Sequence, residues 1–272
     1  MQSQPFSDAV TGLFACGLGV ATSDEAACIA KFMVNFHVGP ERSSDLFKLK
    51  QNFRTHSSVL NLAQSVLTLL CHFFPKSVDK LESETSLVHG ELPVLLQSCD
   101  QNVLKNIFHS NVGNSNGVIT FRAQQVILVR DDCAKEQVIE QVGKNALVLT
   151  IIKCTGLEFQ DVLLYNFFEK APLEPGWEVV YEFMVHKNLL GARSLKYPPF
   201  NKDRHSALCN ELKELYVAIT RTRQRLWVFE SISHPLFDYW KKLGVVKLGE
   251  FDFSFGSGML VFCKLEEWNL CG

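Results

Sequence analysis

Apolar residues along this chain form two kinds of pattern, short continuous runs and longer runs with helical spacing. Three short runs consist mostly of apolar residues, which is typical of strands covered on both faces. They are Gln125 to Val129, Ala146 to Ile152 and Asp161 to Tyr165. Ser57 to Phe74 and His205 to Thr222 have apolar residues at helical spacing, and Pro75 ends the first of them. The further predicted elements are strands at Leu46–Leu49, Pro93–Leu96 and Arg225–Phe229 and helices at Asn102–His109, Ala134–Val142 and Pro235–Leu243.

The order of these elements predicts the fold class. Short apolar strands that alternate with helices indicate an α/β domain whose parallel sheet has helices on both faces. In such sheets ligands bind outside the carboxyl ends of the strands. We therefore expect the candidate site residues Arg54, Gly156 and Glu158 at those ends.

Composition and charge exclude few functions. The chain has 272 residues, of which 47% are hydrophobic and 21% charged, and its formal net charge is −2. Such a length suits one large α/β domain, and the charge gives no global basic field for tight nonspecific binding of nucleic acid. A domain that contacts only a few phosphates needs no such field.

The spacing of the cysteines and the sequence of the first residues indicate the cellular compartment of the protein. The nine cysteines include no Cys-x-x-Cys pair, which favours reduced thiols over a disulfide framework or a zinc site. Ala9 to Ala21 is apolar but has no Lys or Arg before it, unlike a signal peptide, and it is too short to span a membrane. We expect an intracellular protein, in the nucleus or cytoplasm with the nucleus favoured, and no membrane partner.

Three short segments carry the candidate chemistry. Gln51 to Arg54 (QNFR) offers an aromatic ring and a guanidinium, which can hold phosphate oxygens bidentately. Thr150 to Phe159 (TIIKCTGLEF) has a glycine that allows close backbone approach to a phosphate. Glu211 to Arg223 (ELKELYVAITRTR) is a helix that presents Arg221 near its end. Each segment alone also fits an ordinary element: a core Phe beside a surface Arg, a strand with a Gly turn, or a basic helix end that complements the dipole.

Together and in this order, the three segments resemble motifs of the C-terminal RecA-like motor domain of superfamily 1 helicases of the UvrD type. The likeness covers about Phe47 to Glu230 and extends to the large eukaryotic members, including those with tetratricopeptide and ankyrin repeats. It implies a RecA-like three-layer fold, ATP with Mg²⁺ as cofactor, and single-stranded nucleic acid and an N-terminal RecA-like domain, in cis or in trans, as partners.

The resemblance also implies a role for each matching residue. Arg54 and Arg221 would be catalytic and reach the γ-phosphate. The residues implied to bind the nucleotide are Gln51, Phe53, Gly156 and Glu158. The residues implied to bind nucleic acid are Thr150 and Lys153. No metal ligand is implied in this chain.

The chain departs from the family pattern in several places. Ile152 replaces a histidine that faces nucleic acid in the family, and Thr155 replaces a lysine. Gln125 to Asp131 and the following helix resemble a strand–helix block of the family, and Thr150 to Phe159 resembles its fifth motif. Only Cys133 to Asn145 separates the two, so the accessory domain inserted there in the bacterial enzymes is absent. No phosphate-loop string occurs, because Leu18 stands where Gly12 to Gly17 would need a following lysine. Asp24-Glu25 resembles an Asp-Glu pair that binds Mg²⁺ at the end of a strand, but the residues before it do not have the pattern of a strand.

We accordingly divide the chain into an unmatched segment 1–40, a UvrD-like C-terminal RecA-like domain 41–248 and a tail 249–272. The favoured function is the second motor domain of an ATP-dependent DNA or RNA helicase, inactive as an isolated chain. The alternative is a non-catalytic interaction or regulatory module that uses Trp177 to Arg204 to bind a partner. The chain would then be a fragment, a truncated isoform, or a protein in which another segment replaced the first motor domain.

Overall fold

The fold comes from a computed structural model that describes residues 33–35, 46–48, 51–52, 55–78, 85–97, 104, 124–143, 146–169, 176–191, 197, 199–252 and 259–262, with backbone alone for 33–35, 46–48, 51, 250–252 and 259–262. The strands are β1 (Met33–Asn35), β2 (Leu46–Lys48), β3 (Gln51–Asn52), β4 (Thr85–Ser86), β5 (Val94–Gln97), β6 (Gln125–Val129), β7 (Val148–Thr150), β8 (Phe159–Tyr165), β9 (Thr222–Glu230), β10 (Lys247–Asp252) and β11 (Met259–Phe262). The helices are α1 (Ser57–Phe73), α2 (Asp132–Val142), α3 (Val179–His186), α4 (Ser206–Thr220) and α5 (Pro235–Leu243).

A seven-stranded sheet organises the domain. Its strand order is β11-β10-β5-β9-β8-β6-β7. Every neighbouring pair is parallel except β10 and β11. With helices on both faces this is the α/β, RecA-like fold that the sequence predicts. The accessory insertion is absent, since α2 ends at Val142 and β7 begins at Val148.

The sheet is buried on both faces, which explains why its strands are continuously apolar. In β6, Val126 and Leu128 pack into one core cluster, whereas Ile127 and Val129 pack into the other. Helices α1, α3, α4 and α5 cover the first face. Helix α2 covers the second through Val138 and Val142. Successive apolar residues of one strand therefore pack alternately into the two cores on either side of the sheet.

The predicted elements that fall on described residues agree with the structure apart from their boundaries. The predicted strand Ala146–Ile152 is shorter, because a helical turn begins at Ile151. Helix α4 ends at Thr220, since Thr222 already pairs with Phe159. Strand β10 runs from Lys247 to Asp252, past the predicted end of the domain at residue 248, and pairs with β5. The predicted helix at 102–109 lies outside the described residues except for Leu104.

The ends of β6, β8 and β9 form what we call the carboxyl edge of the sheet, and a buried ionic network closes it. Arg130, just after β6, forms an ion pair with Glu211 of α4 and donates to the backbone oxygen of Phe167 at 2.9 Å. Glu230, at the end of β9, is fully buried and accepts hydrogen bonds from the Phe168 N–H at 3.1 and 3.3 Å. Burial raises the pKa of Glu230 to about 8. These polar contacts hold strand ends and helices together.

Candidate functional site at the amino edge

Two of the candidate residues lie at the opposite end of the sheet, which we call the amino edge. Glu158 directly precedes β8 and Arg221 directly precedes β9. The two strands are parallel neighbours, with Phe159 paired to Thr222. Our expectation that Gly156 and Glu158 lie at the carboxyl ends is therefore wrong. The cause is the β7–β8 connection, which returns across the sheet within residues 151–158 and ends at the start of β8.

Arg221 joins the second and third candidate segments. Its Nη1 donates to the backbone oxygen of Leu157 at 3.3 Å, and its Nε donates to the oxygen of Val217 at 3.2 Å. In return, the N–H of Phe159 donates to the backbone oxygen of Arg221 at 2.9 Å. These bonds orient a half-buried guanidinium at the end of α4 beside the Gly156 turn. A guanidinium held in this way can bind phosphate oxygens without first ordering its side chain.

The turn at residues 151–156 sets the backbone next to Arg221. Gly156 has φ of +79°, in the left-handed region that favours glycine. The thiol of Cys154 lies buried under this turn and donates to the oxygen of Ile151 at 3.0 Å. Burial raises the Cys154 pKa to about 11, although the nearby Arg221 charge opposes the rise. The thiol is therefore a neutral packing group at neutral pH, and Arg221 is the charged group beside it.

The segment that follows Gln51 to Arg54 is attached to the same edge. The Thr55 hydroxyl donates to the backbone oxygen of Thr222 at 3.2 Å, and Thr55 is itself 5% exposed. The His56 Nε2 also contacts the backbone oxygen of Gln224. The Thr55 N–H donates to Oδ1 of Asn52 at 3.0 Å. Residues on both sides of Phe53 and Arg54 are thus fixed, one of them directly against the residue that follows Arg221.

Phe53 and Arg54 themselves lie outside the described residues, so their predicted roles stay predictions. Gln51 is described by its backbone alone, in β3 paired with Thr85 of β4. Glu158 is half-buried at the amino edge. Of the residues that the sequence groups with Arg221, Glu158 and Gly156 are therefore the ones described beside it. The Thr55 contact adds the segment that contains Arg54.

Thr150 and Lys153 lie at the carboxyl edge. Thr150 ends β7 and is 4% exposed; its hydroxyl oxygen accepts a hydrogen bond from the Lys153 N–H at 3.3 Å. The Lys153 ammonium forms a 2.6 Å ion pair with Asp132 at the start of α2. Both groups are more than half exposed, and such surface pairs are weak. The structure thus separates the residues implied to bind nucleic acid from Glu158 and Arg221.

Sequence reasoning missed Thr55 and an ion pair between the two strands near the amino edge. Asp161 of β8 accepts two hydrogen bonds from Arg225 of β9, at 2.8 and 2.6 Å. Arg225 lies directly opposite Asp161 in the register, so opposite charges on two strands that follow one another in the chain were the available signal. The carboxylate raises the pKa of the Arg225 guanidinium. This pair fixes the relative position of the two strands that carry Glu158 and Arg221.

Buried hydroxyls at this edge bear on whether a nucleotide fits. The hydroxyl oxygens of Thr155 and Thr222 are buried and have no hydrogen-bond partner among the described residues. They flank Gly156 and Arg221 in sequence but are closed off from the surface, so the partly exposed Arg221 is the group that this edge offers to a ligand. No group of three or more His, Cys, Asp or Glu in the described part of the chain could hold a metal ion.

Comparison with curated proteins gives relatives that are much longer than this chain. The chain is 36% identical over 225 residues to TPR and ankyrin repeat-containing protein 1 of Homo sapiens, covering 76% of this chain and 8% of that protein. It is 28% identical over 217 residues to a probable DNA helicase of Mycoplasma pneumoniae, covering 75% of this chain and 35% of that protein. The second similarity supports a helicase-related domain at a coarse level.

Two other comparisons add little. Among solved structures, the C-terminal domain of a possible DNA helicase from Lactobacillus plantarum has a TM-score of 0.42 at 12% identity, with 72% of this chain and 98% of that chain covered. That likeness is too low to carry an argument. No protein-family model matches the chain. Within the described residues, no helix is long and apolar enough to cross a membrane.

Proposed function

We propose that this chain is the second motor domain of an ATP-dependent helicase of the UvrD-like superfamily 1 type. In this proposal the amino edge forms one side of an ATP site, and a first RecA-like domain supplies the phosphate loop and holds Mg²⁺. The observation that carries the proposal is the hydrogen bond from Arg221 to the backbone of Leu157. It joins the end of the helix in Glu211 to Arg223, the segment similar to the sixth motif of the family, to the turn in Thr150 to Phe159, the segment similar to the fifth motif.

Each residue at the edge has a task suited to its chemistry. Arg221 would stabilise negative charge that develops on the γ-phosphate during transfer, as an arginine finger does. Glu158 would accept hydrogen bonds from ribose hydroxyls, and Gly156 would let the backbone approach a phosphate. Bound ATP with Mg²⁺ would supply the phosphoryl group that is transferred to water. Arg54 would provide a second guanidinium, with Phe53 stacking on the adenine.

The Thr55 contact supports the convergence of Arg54 and Arg221. Because Thr55 bonds to the backbone of Thr222, the two arginines immediately precede residues that touch each other. Lys153 would contact a single strand of DNA or RNA at the carboxyl edge, whereas Thr150, which is 4% exposed, would hold the Lys153 backbone in place through its hydroxyl. The weak ion pair of Lys153 with Asp132 would exchange for a nucleic-acid phosphate.

ATP turnover tests this proposal. The chain would be joined on one polypeptide to the first RecA-like domain of a UvrD-like helicase, which carries a phosphate loop. We expect ATP hydrolysis that neither part shows alone. Turnover no greater than that of the first domain alone would contradict the proposal and favour the interaction-module alternative. In that alternative Trp177 and Phe183 are unavailable for a partner, since both are buried in the core.

A further inference from the structure

A cavity of about 790 Å³ lies far from the amino edge, between the end of α1 and the beginning of α4. Helix α1 begins at the amino edge, two residues after Thr55, and has 17 residues. At 1.5 Å per residue its far end is about 25 Å away. The cavity is therefore separate from the proposed ATP site.

Three lysines from three different elements line this cavity. Lys76 belongs to the turn after α1, Lys202 to the loop before α4, and Lys213 to α4 itself. None of their ammonium groups has an ion-pair partner among the described residues. One carboxylate, that of Asp203, also lines the cavity. Three cations against one anion leave the cavity with an excess of positive charge.

Ordered backbone structure holds the lysines in place. The turn with Lys76 is closed by the N–H of Ser77, which donates to the oxygen of Phe74 at 2.9 Å. The loop with Lys202 is closed by Oδ1 of Asn201, which accepts from the N–H groups of Asp203 and Arg204 at 3.0 and 3.2 Å. The positive charge is thus a property of the folded domain and needs no rearrangement to form.

The rest of the lining is apolar and hydroxyl-bearing. Phe73, Phe74 and Pro75 form one wall, and Ser77 and Ser206 add hydroxyl groups. The cavity volume of about 790 Å³ is far larger than an inorganic phosphate needs and falls in the range of small-molecule sites. Lysines suit phosphate groups, while an apolar wall suits the face or edge of a base.

We propose that this cavity binds a nucleotide through its phosphates and base, either as a free nucleotide or as one unit of a single strand. The lysines Lys76, Lys202 and Lys213 would contact the phosphates, and the wall of Phe74 and Pro75 would contact the base. The site does not depend on the proposed ATP site, because it shares no residue with the amino edge.

Binding of fluorescein-labelled dT12 to the full chain, followed by anisotropy over a salt series, tests the site. We expect substitution of all three lysines by Gln to weaken binding at least tenfold. The slope of log Kd against log salt should also fall by about 2, since single strands give about 0.7 per phosphate contact. The control is Lys135, Lys187 and Lys242, which lie outside the cavity. Their substitution by Gln removes the same charge and should change Kd less than twofold.

A second measurement locates the ligand directly. Acetylation of lysines, read by mass spectrometry, should show Lys76, Lys202 and Lys213 protected by dT12 and the control lysines unprotected. Unlabelled thymidine 5′-monophosphate distinguishes the source: equal affinity indicates a free nucleotide, and at least tenfold tighter dT12 indicates a strand. Equal effects of the two triple substitutions, or no protection of Lys76, Lys202 and Lys213 by dT12, would overturn the proposal. Because the cavity shares no residue with the amino edge, this test and the test of the ATP site can fail independently of each other.

Discussion

The two edges of the sheet use charged residues in opposite ways. At the carboxyl edge, Arg130 and Glu230 are buried and their partners are other parts of the same domain. At the amino edge, Arg221 is half-buried and bonds mainly to backbone oxygens, while nearby threonine hydroxyls are buried without partners in the described structure. The groups at the carboxyl edge have their main partners within the fold, although one oxygen of Glu211 is buried without a partner among the described residues. Charges arranged to meet a ligand are oriented but leave capacity for another partner.

The comparison of the two edges first predicts that a substitution at the carboxyl edge causes a large loss of stability. Arg130→Ala removes the ion pair with Glu211, the hydrogen bond to Phe167 and the contact with the Phe167 ring. Removing one partner of a buried pair costs about 3 kcal/mol or more, because the other charge stays buried. Urea denaturation measures the change. Exposed Arg204→Ala serves as the control, and a loss as small as that of the control would show that the network is not structural.

Glu230 should make stability depend on pH. Its folded pKa of about 8 lies above the ordinary value of 4.5, so the folded state keeps a proton that the unfolded state loses. Stability from this group is complete below pH 4.5 and is lost as the pH rises toward 8. Buried His234, whose pKa is lowered to about 3 by burial, acts in the opposite sense and only below 6.5.

The window from pH 6.5 to 8 therefore isolates Glu230. We expect the free energy of unfolding to fall by about 2 kcal/mol across it, at 1.36 kcal/mol per unit. Glu230→Gln, which keeps an oxygen for the Phe168 N–H, should flatten this dependence. An unchanged slope in the variant would assign the pH dependence to other groups.

Much of the fold could be predicted because its signals are local. Strand β6 matches the predicted range because Gln125–Val129 is continuously apolar, and α5 matches because Pro235 starts it and Gly244, with φ of +66°, ends it. The predicted position of Gly156 and Glu158 at the carboxyl edge was wrong, since the sequence does not show that residues 151–158 cross back over the sheet. Thr55 was missed because its partner Thr222 is 167 residues away, and no local pattern reports such a contact.

Thr55 should matter more for activity than for folding. Thr55→Val keeps the shape of the side chain but removes the hydrogen bond to Thr222. The expected stability loss is about 1 kcal/mol, the usual net value of one buried hydrogen bond. In the polypeptide joined to a first motor domain, ATP turnover should fall at least tenfold, mainly in kcat, because Arg54 would lose its position. Thr55→Ser, which restores the hydroxyl, should recover most of the turnover; no recovery would argue against positioning.

Arg221 should show the smallest effect on stability. Arg221→Ala removes hydrogen bonds to the backbone oxygens of Leu157 and Val217 at a partly exposed helix end, where water can replace the side chain. We expect the free energy of unfolding to change by no more than about 1 kcal/mol. A loss comparable to that of Arg130→Ala would make Arg221 a structural residue and remove the contrast between the edges.

The most direct test of the account compares Arg221→Ala with Arg223→Ala in the polypeptide joined to a first motor domain. Arg223 is a matched control, since it is an exposed arginine two positions further along the chain. The account predicts that ATP turnover falls by roughly 10² or more in Arg221→Ala, as for the loss of an arginine that stabilises phosphoryl transfer. Turnover in Arg223→Ala should stay within about twofold of the parent, as expected for a side chain without a transition-state contact. Equal turnover in the two variants would contradict the assignment of the amino edge as an ATP site.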